Sequence, residues 1–322
     1  MSSLPDPGAA HAVCVTRDMS LRKTLRRTLN AGGSTVEFVD ALAEPSQILA
    51  AEAAMLFIDQ ACRRTASMRQ LTQIIGAGGK IIILGDSLED DEVVQFLRGS
   101  TVDHVISDVD GDGVELVVTS VKLLSGDIFG LEKYLSWGAK VHELEINTYE
   151  EKRAALMTVA EYAREVGARR HVIGKIESVT DELLMNALYD APAVSRGQQP
   201  AQHATTLDES AMKQCDEAAL VRYACDGRYF AVSVQDEYGQ LHKEAILDHL
   251  VRARAERGAP KLAETTAASG AGLGLYFILS SVTRFIANID RGTRTEVVCL
   301  FDLKESGRDA ASCARSLHIF TV

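Results

Sequence analysis

Between residues 12 and 124 short apolar runs alternate with amphipathic stretches, and that alternation constrains the fold more tightly than any other feature of the chain. Residues 12–15, 35–39, 54–58, 80–84 and 103–106 have the length and the β-branched content of buried strands. Residues 20–30, 45–51, 68–75, 92–98 and 114–124 carry helical spacing. Parallel strands need a crossover between each pair, and a helix is the usual crossover, so the pattern predicts an α/β domain with a doubly wound parallel sheet covered on both faces. In such sheets ligand chemistry belongs at the carboxyl ends of the strands.

The pattern changes after residue 125. Residues 126–139 read as a connecting helix and turn, whose aromatic residues Phe129, Tyr134 and Trp137 are expected to pack within the chain rather than between subunits. From residue 140 a strand (141–146) leads into two long helices (150–166 and 171–189), then a polar segment (191–210) expected to be a loop. Two apolar runs, 219–225 and 229–234, flank Asp226-Gly227, a strong hairpin signal. A helix at 243–256, a second polar stretch, a helix at 273–286 and a strand at 296–302 complete the series. The expectation is an α+β sandwich spanning 140–322.

Three motifs in this second half carry chemistry. Glu182, Asn186 and Asp190 are four apart on a predicted helix, so they line one face beside the apolar Leu183, Leu184, Ala187 and Leu188. A row of oxygens of this kind suits Mg²⁺, which shares its ligands with substrate phosphates, although a solvated helix face has the same appearance. Asp236 closes an apolar run just before Gly239, where a carboxylate could accept from an exocyclic amine or shape an Asx turn. Gly270, Gly272 and Gly274 open a helix, where glycines admit a polyanion to exposed N–H donors. This loop is neither a Rossmann nor a Walker loop, since no strand directly precedes it and no Lys-Ser/Thr follows.

Taken in this order the motifs resemble the GHKL superfamily, the histidine-kinase-like and anti-sigma-factor-kinase-like ATPases. The resemblance runs over about 140–303. It implies a Bergerat-type α+β sandwich that binds ATP with Mg²⁺. By position Asn186 would hold the metal, Asp236 would bind the adenine amine, and Gly239, Gly270, Gly272 and Gly274 would form the nucleotide loops. Thr295 would support the adenine site, and Glu182 would be the general base. A lid is expected at 253–268, with Arg254, Arg257 and Lys261 as candidate phosphate contacts or as solvated surface charge. The sequence departs from the family where Tyr238 and Gln240 replace the glycines of the first glycine box. That leaves binding expected and turnover in question.

The first 125 residues resemble a response-regulator receiver in degenerate form. Asp59, at the end of the third strand, matches the phosphoacceptor position. Only Asp18 stands where an acidic pair would bind Mg²⁺, Ser87 is the candidate switch hydroxyl, and Asp108 falls where a receiver carries Lys. Without that cation a phosphoryl charge on Asp59 would be poorly neutralised, so Asp59 reads as a strand-end carboxylate ahead of a phosphoacceptor. His142-Glu143-Leu144 resembles the start of a phosphoacceptor box but alternates like a strand, which argues against a histidine kinase.

Composition narrows the partners. With 34 basic against 45 acidic residues, the net charge of −11 argues against a general nucleic-acid binder. No apolar run is long enough for a membrane span, and the first residues lack a signal-peptide pattern. Six cysteines without metal spacing read as core residues of a cytoplasmic protein. The expected function is cytoplasmic signalling through ATP and Mg²⁺, with a protein partner as regulator or Ser/Thr substrate and a homodimer in reach. The alternative is a non-catalytic, nucleotide-dependent interaction module.

Overall fold

A computed structural model of the chain describes residues 11–42, 54–67, 69–70, 80–100, 102–107, 109, 113–197, 217–258, 274–304 and 314–322, with the side chains of 252–258 excepted. It divides into two units, the first made of Met1–Ile128 with Arg315–Phe320, the second of Phe129–Ala314 with Thr321–Val322. The chain is mixed α/β throughout.

The first unit holds β1 (His11–Val15), α1 (Met19–Ala31), β2 (Thr35–Val39), β3 (Met55–Asp59), α2 (Gln60–Thr65), β4 (Lys80–Leu84), α3 (Asp91–Arg98), β5 (His104–Ile106) and α4 (Val114–Ser125). Its strands run β2-β1-β3-β4-β5, all in parallel. Successive residues of β1, β3 and β4 are buried on both faces, which explains why these runs are continuously apolar rather than alternating. Leu25 and Leu29 of α1 and Leu116 of α4 pack on Cys14, Phe57 and Ile82. Each such side chain removed from water is worth ~1.5–3 kcal/mol. Local signals set the helix starts. Asp18 accepts from the Ser20 and Leu21 N–H groups at the head of α1, and Asp90 accepts from Glu92 N–H at the head of α3.

A sixth strand of this unit was not foreseen. The C-terminal β-strand Ser316–Thr321, called β11 below, pairs antiparallel with β5. Three buried ionisable side chains sit at this junction: His318 Nε2 is 2.9 Å from Glu115 Oε1, and His318 Nδ1 is 3.3 Å from His104 Nδ1. One imidazole must donate and the other accept across the Nδ1 pair.

The second unit contains β6 (His142–Ile146), α5 (Tyr149–Glu165), α6 (Arg170–Met185), a π turn (Asn186–Asp190), α7 (Ala191–Ser195), β7 (Ala219–Cys225), β8 (Tyr229–Asp236), α8 (Lys243–Gly258), α9 (Gly274–Ser281), β9 (Arg284–Asp290) and β10 (Arg294–Asp302). The sheet is antiparallel in the order β9-β10-β8-β7-β6. Thr148 and Glu151 form a capping box at the start of α5. Helices α5 and α6 pack together, and α6 lies against β8 and β10. The hairpin at Asp226-Gly227 is as expected, with Asp226 Oδ1 accepting from Arg228 and Tyr229 N–H.

Two boundaries differ from expectation. The helix predicted over 273–286 ends at Ser281, and Arg284–Asp290 is a strand rich in aromatic and β-branched residues. The loop expected from residue 191 begins as helix. Ala191 N–H donates to Asn186 O, five residues back, so a wide turn precedes Pro192. Proline cannot donate and clashes with the carbonyl four residues before it in a regular helix. The π turn and a fresh helix start absorb that conflict.

The connecting segment folds onto the second unit. Gly130 N–H donates to the buried Glu296 carboxylate (2.9 Å), which also accepts from Asn288 Nδ2 (2.9 Å). Phe129 lies under the Arg294 guanidinium at 3.8 Å, and Ser136 donates twice to Asp226. Of its three aromatic residues Tyr134 is buried, whereas Trp137 is fully exposed, so the expected packing within the chain fails for Trp137. Among the described residues no helix is long and apolar enough to cross a membrane.

Candidate functional site

Helix α6 places the first motif. Val172, Ile176, Val179, Leu183 and Leu184 bury one stripe of it, and Ala187 and Leu188 continue that stripe through the π turn. Glu182, Asn186 and Asp190 are each half-buried along its border, as their spacing requires. The wide turn leaves Asp190 short of a full revolution from Asn186, so the row is bent at its end. Asp181 sits one residue outside the row, where its carboxylate pairs with the buried Lys152 ammonium of α5 at 2.6 Å.

Helix α9 packs against α6 and starts at Gly274. A β-carbon on Gly274 would come within 2.2 Å of Glu182 Oε2 and 3.1 Å of its Cδ. The fold thus brings the acidic residue of the first motif against the last glycine of the third. Gly270 and Gly272 lie outside the described residues, as does Asp108. So do Lys261 and the side chains of Arg254 and Arg257.

Strand β8 delivers the second motif. Asp236 is its last residue and pairs in register with Thr295 of β10. Its Oδ1 accepts from Tyr238 N–H (2.9 Å) and Gly239 N–H (3.3 Å), an Asx turn that fixes the carboxylate. Burial pushes its pKa up to about 6, helped by the Glu237 charge, while N–H groups of Tyr238, Gly239 and Thr295 pull the other way. Desolvation wins. Gly239 has φ +61, and a β-carbon there would meet Asp290 O at 2.2 Å and Gly292 N at 2.6 Å. These contacts are backbone, so only glycine lets the turn after β8 touch the β9–β10 turn, where Gly292 N–H donates to Gly239 O. Gln240 Nε2 donates to Tyr238 O, a side-chain bond across the turn that follows Asp236.

Thr295 is 2% exposed, and its Oγ1 makes no hydrogen bond to any described residue. An unpaired buried hydroxyl costs about 1–3 kcal/mol, so this atom calls for a water or a ligand group. That orphan beside a strand-end carboxylate fits a base with an exocyclic amine. For the metal, no group of three or more His, Cys, Asp or Glu among the described residues could hold an ion. The Asn186 row therefore fits Mg²⁺ only as a partner to phosphate oxygens.

At the carboxyl ends of the first unit's strands the side chains are already engaged. Asp59 caps α2, accepting from Cys62 N–H at 2.7 Å, and Asp18 caps α1. Ser87 Oγ accepts from Glu89 N–H. Between these lies an ion pair that composition did not reveal: Arg63 donates Nε and Nη2 to the two oxygens of Asp86, with side chains 5% and 0% exposed. Ser107 Oγ donates to the Asp86 carbonyl. His142 opens β6 and stacks on Tyr223 at 5.1 Å, a strand histidine. Cys14, Cys62 and Cys299 are buried free thiols, and Cys225 is a half-buried one; burial pushes Cys14 up to about 12 and Cys62 to about 11.

No family model matches the chain, and no curated protein matches it. Among solved structures it is similar to a chain of the SiaB–SiaC complex from Pseudomonas aeruginosa, at 17% identity over 49% of this chain and 88% of that one, with a TM-score of 0.31. It is also similar to the response regulator LqsR of Legionella pneumophila, at 13% identity over 94% of this chain and 91% of that one, with a TM-score of 0.29. Likenesses this slight carry no inference about activity, so the residues must speak for the site.

Proposed function

We propose that the chain is a signalling protein whose second unit binds ATP with Mg²⁺ between the β8 and β10 strand ends and helices α6 and α9. The observation that carries the reading is the convergence of distant residues. Glu182 abuts Gly274, and Asp236 faces Thr295, whose hydroxyl lacks a partner among the described residues. In this reading Asp236 accepts from the adenine amine and Thr295 supplies the second polar contact. The amide oxygen of Asn186 shares the metal with the phosphates. Glu182 orients and deprotonates the attacking group, which requires a carboxylate within hydrogen-bond reach of it. The hydroxyl oxygen of a partner's Ser or Thr attacks the terminal phosphoryl, the bond from that phosphorus to the β–γ bridging oxygen breaks, and ADP leaves while Glu182 holds the hydroxyl proton.

A second reading has its own support. The Tyr238–Gln240 loop is braced by the Gln240 side-chain bond to the Tyr238 carbonyl and by a glycine that touches backbone. A stiff loop favours a module that binds nucleotide and partner without turnover. Calorimetry with ATP and Mg²⁺, followed by incubation with γ-labelled ATP and a candidate partner, tests both. Label on the partner supports the kinase. Saturable binding without transfer or hydrolysis supports the module, and no binding of ATP or ADP removes both readings.

A further inference from the structure

Helix α1 of the first unit carries Arg22, Lys23, Arg26 and Arg27 and no acidic residue over its 13 positions, in a chain of net charge −11. Its buried side is Leu25, Thr28 and Leu29. The opposite side is an open recess lined by Met19, Arg22, Lys23, Arg26, Arg27 and Asn30. Arg22 is committed to the fold, since it donates to the Thr16 carbonyl and pairs with Asp40. Lys23, Arg26 and Arg27 are exposed and make no ion pair among the described residues. Arg26 lies 5.0 Å over the half-buried Phe38 ring, and Met19 is 72% exposed. The acids next to this face are already used, Asp18 as a helix cap, Asp40 on Arg22 and Glu37 on His11.

We infer that this face of α1 is a docking surface for a protein partner that presents clustered carboxylates. An acidic chain gains nothing for its own stability by concentrating unpaired cations on one helix, where like charges at i, i+4 repel. Opposite charge on a partner converts that repulsion into attraction and speeds encounter. The composition also selects the class of partner. Arginine, methionine and an aromatic ring with lysine scarce is the mix of a protein–protein interface core. The inference is independent of the nucleotide reading, because no residue of the second unit enters it.

The test uses the full chain and a fluorescent synthetic helical peptide with Glu at i, i+4 spacing and a Leu stripe, followed by anisotropy at low and physiological salt. Saturable binding is expected, weakened by at least about tenfold in Arg26→Glu/Arg27→Glu. The same charge change placed on α5, Arg153→Glu/Arg164→Glu, should leave affinity within about twofold at physiological salt, because neither residue lines the recess on α1. Arg26→Gln/Arg27→Gln provides a milder variant should the reversal disturb folding, with helical circular dichroism as the check. Equal loss in the α1 and α5 variants, or no saturable binding, overturns the inference. Tighter binding of a DNA duplex or of vesicles containing anionic lipid overturns it as well.

Discussion

The Glu182 carboxylate occupies the space that a side chain on Gly274 would fill, with Oε2 2.2 Å from the ideal β-carbon position. The absence of a β-carbon at 274 is what leaves room for the Glu182 carboxylate where helix α9 packs on helix α6. Gly274 does not have a left-handed φ, so its backbone accepts alanine, yet the added methyl group would expel the carboxylate. We expect Gly274→Ala to keep or raise the melting temperature while ATP turnover or transfer falls at least about tenfold. Differential scanning fluorimetry beside a phosphate-release assay reads both quantities. Unchanged turnover would separate Glu182 from the chemistry.

Asp236 offers a second opposition of sign. Its pKa is raised from 3.8 to about 6 chiefly by burial, so holding it ionised costs the folded state about 3 kcal/mol. Asp236→Asn removes that cost, and it also removes the charge and exchanges one acceptor oxygen for an NH2 donor that would meet an incoming amine. The variant should be more stable than the parent and bind ATP at least about tenfold more weakly. A purely structural Asx-turn residue would show a stability change with no change in nucleotide affinity, measured by calorimetry.

The same group sets a pH dependence. Because the folded pKa lies above the unfolded one, the folded state holds the extra proton between pH 4 and 6. This residue's contribution to stability is therefore greatest below pH 4 and is lost as pH rises through about 6. Nucleotide affinity should move the other way, rising as Asp236 ionises through about pH 6 and then levelling off. Titration calorimetry from pH 5 to 8 checks this, and a flat profile in Asp236→Asn assigns it.

In the first unit the Arg63–Asp86 pair predicts a strong asymmetry. Its side chains are 5% and 0% exposed, so removing one partner strands the other. Arg63→Met or Asp86→Leu alone should cost about 3–5 kcal/mol, and the double variant should recover most of it. Urea denaturation of the four proteins gives the coupling. Asp59→Ala, which removes the cap acceptor for Cys62 N–H, should cost only about 1 kcal/mol.

How much of this was legible depended on whether the signal was local. Thr148 with Glu151, Asp226-Gly227 and the continuous apolar runs of β1, β3 and β4 each contain their own instruction, and the elements formed where they stand. The strand Arg284–Asp290 was hidden because its apolar residues continue the helical spacing of α9; the break at Ser281 is imposed by pairing with β10. Glu296 reads as an ordinary strand-end acid until Gly130, 166 positions earlier, closes on it. Arg63 and Asp86 likewise meet only in three dimensions. For the candidate site, the motif order suggested that Glu182 and Gly274 belong together, but the turn role of Gly239 needed the backbone of Asp290 and Gly292.

The pairing of β11 with β5 has a consequence for how the protein is made. His318 meets Glu115 and His104 across 203 and 214 residues of chain. The unit that leaves the ribosome first is therefore the one finished last, and until then β5 shows a bare edge and Glu115 lacks its imidazole partner. Nascent chains with an open strand edge are prone to wrong pairing. A chain cut short before Ser316 would keep every residue of the candidate nucleotide site and still be expected to aggregate, because what it lacks is the closing stroke of its opening domain.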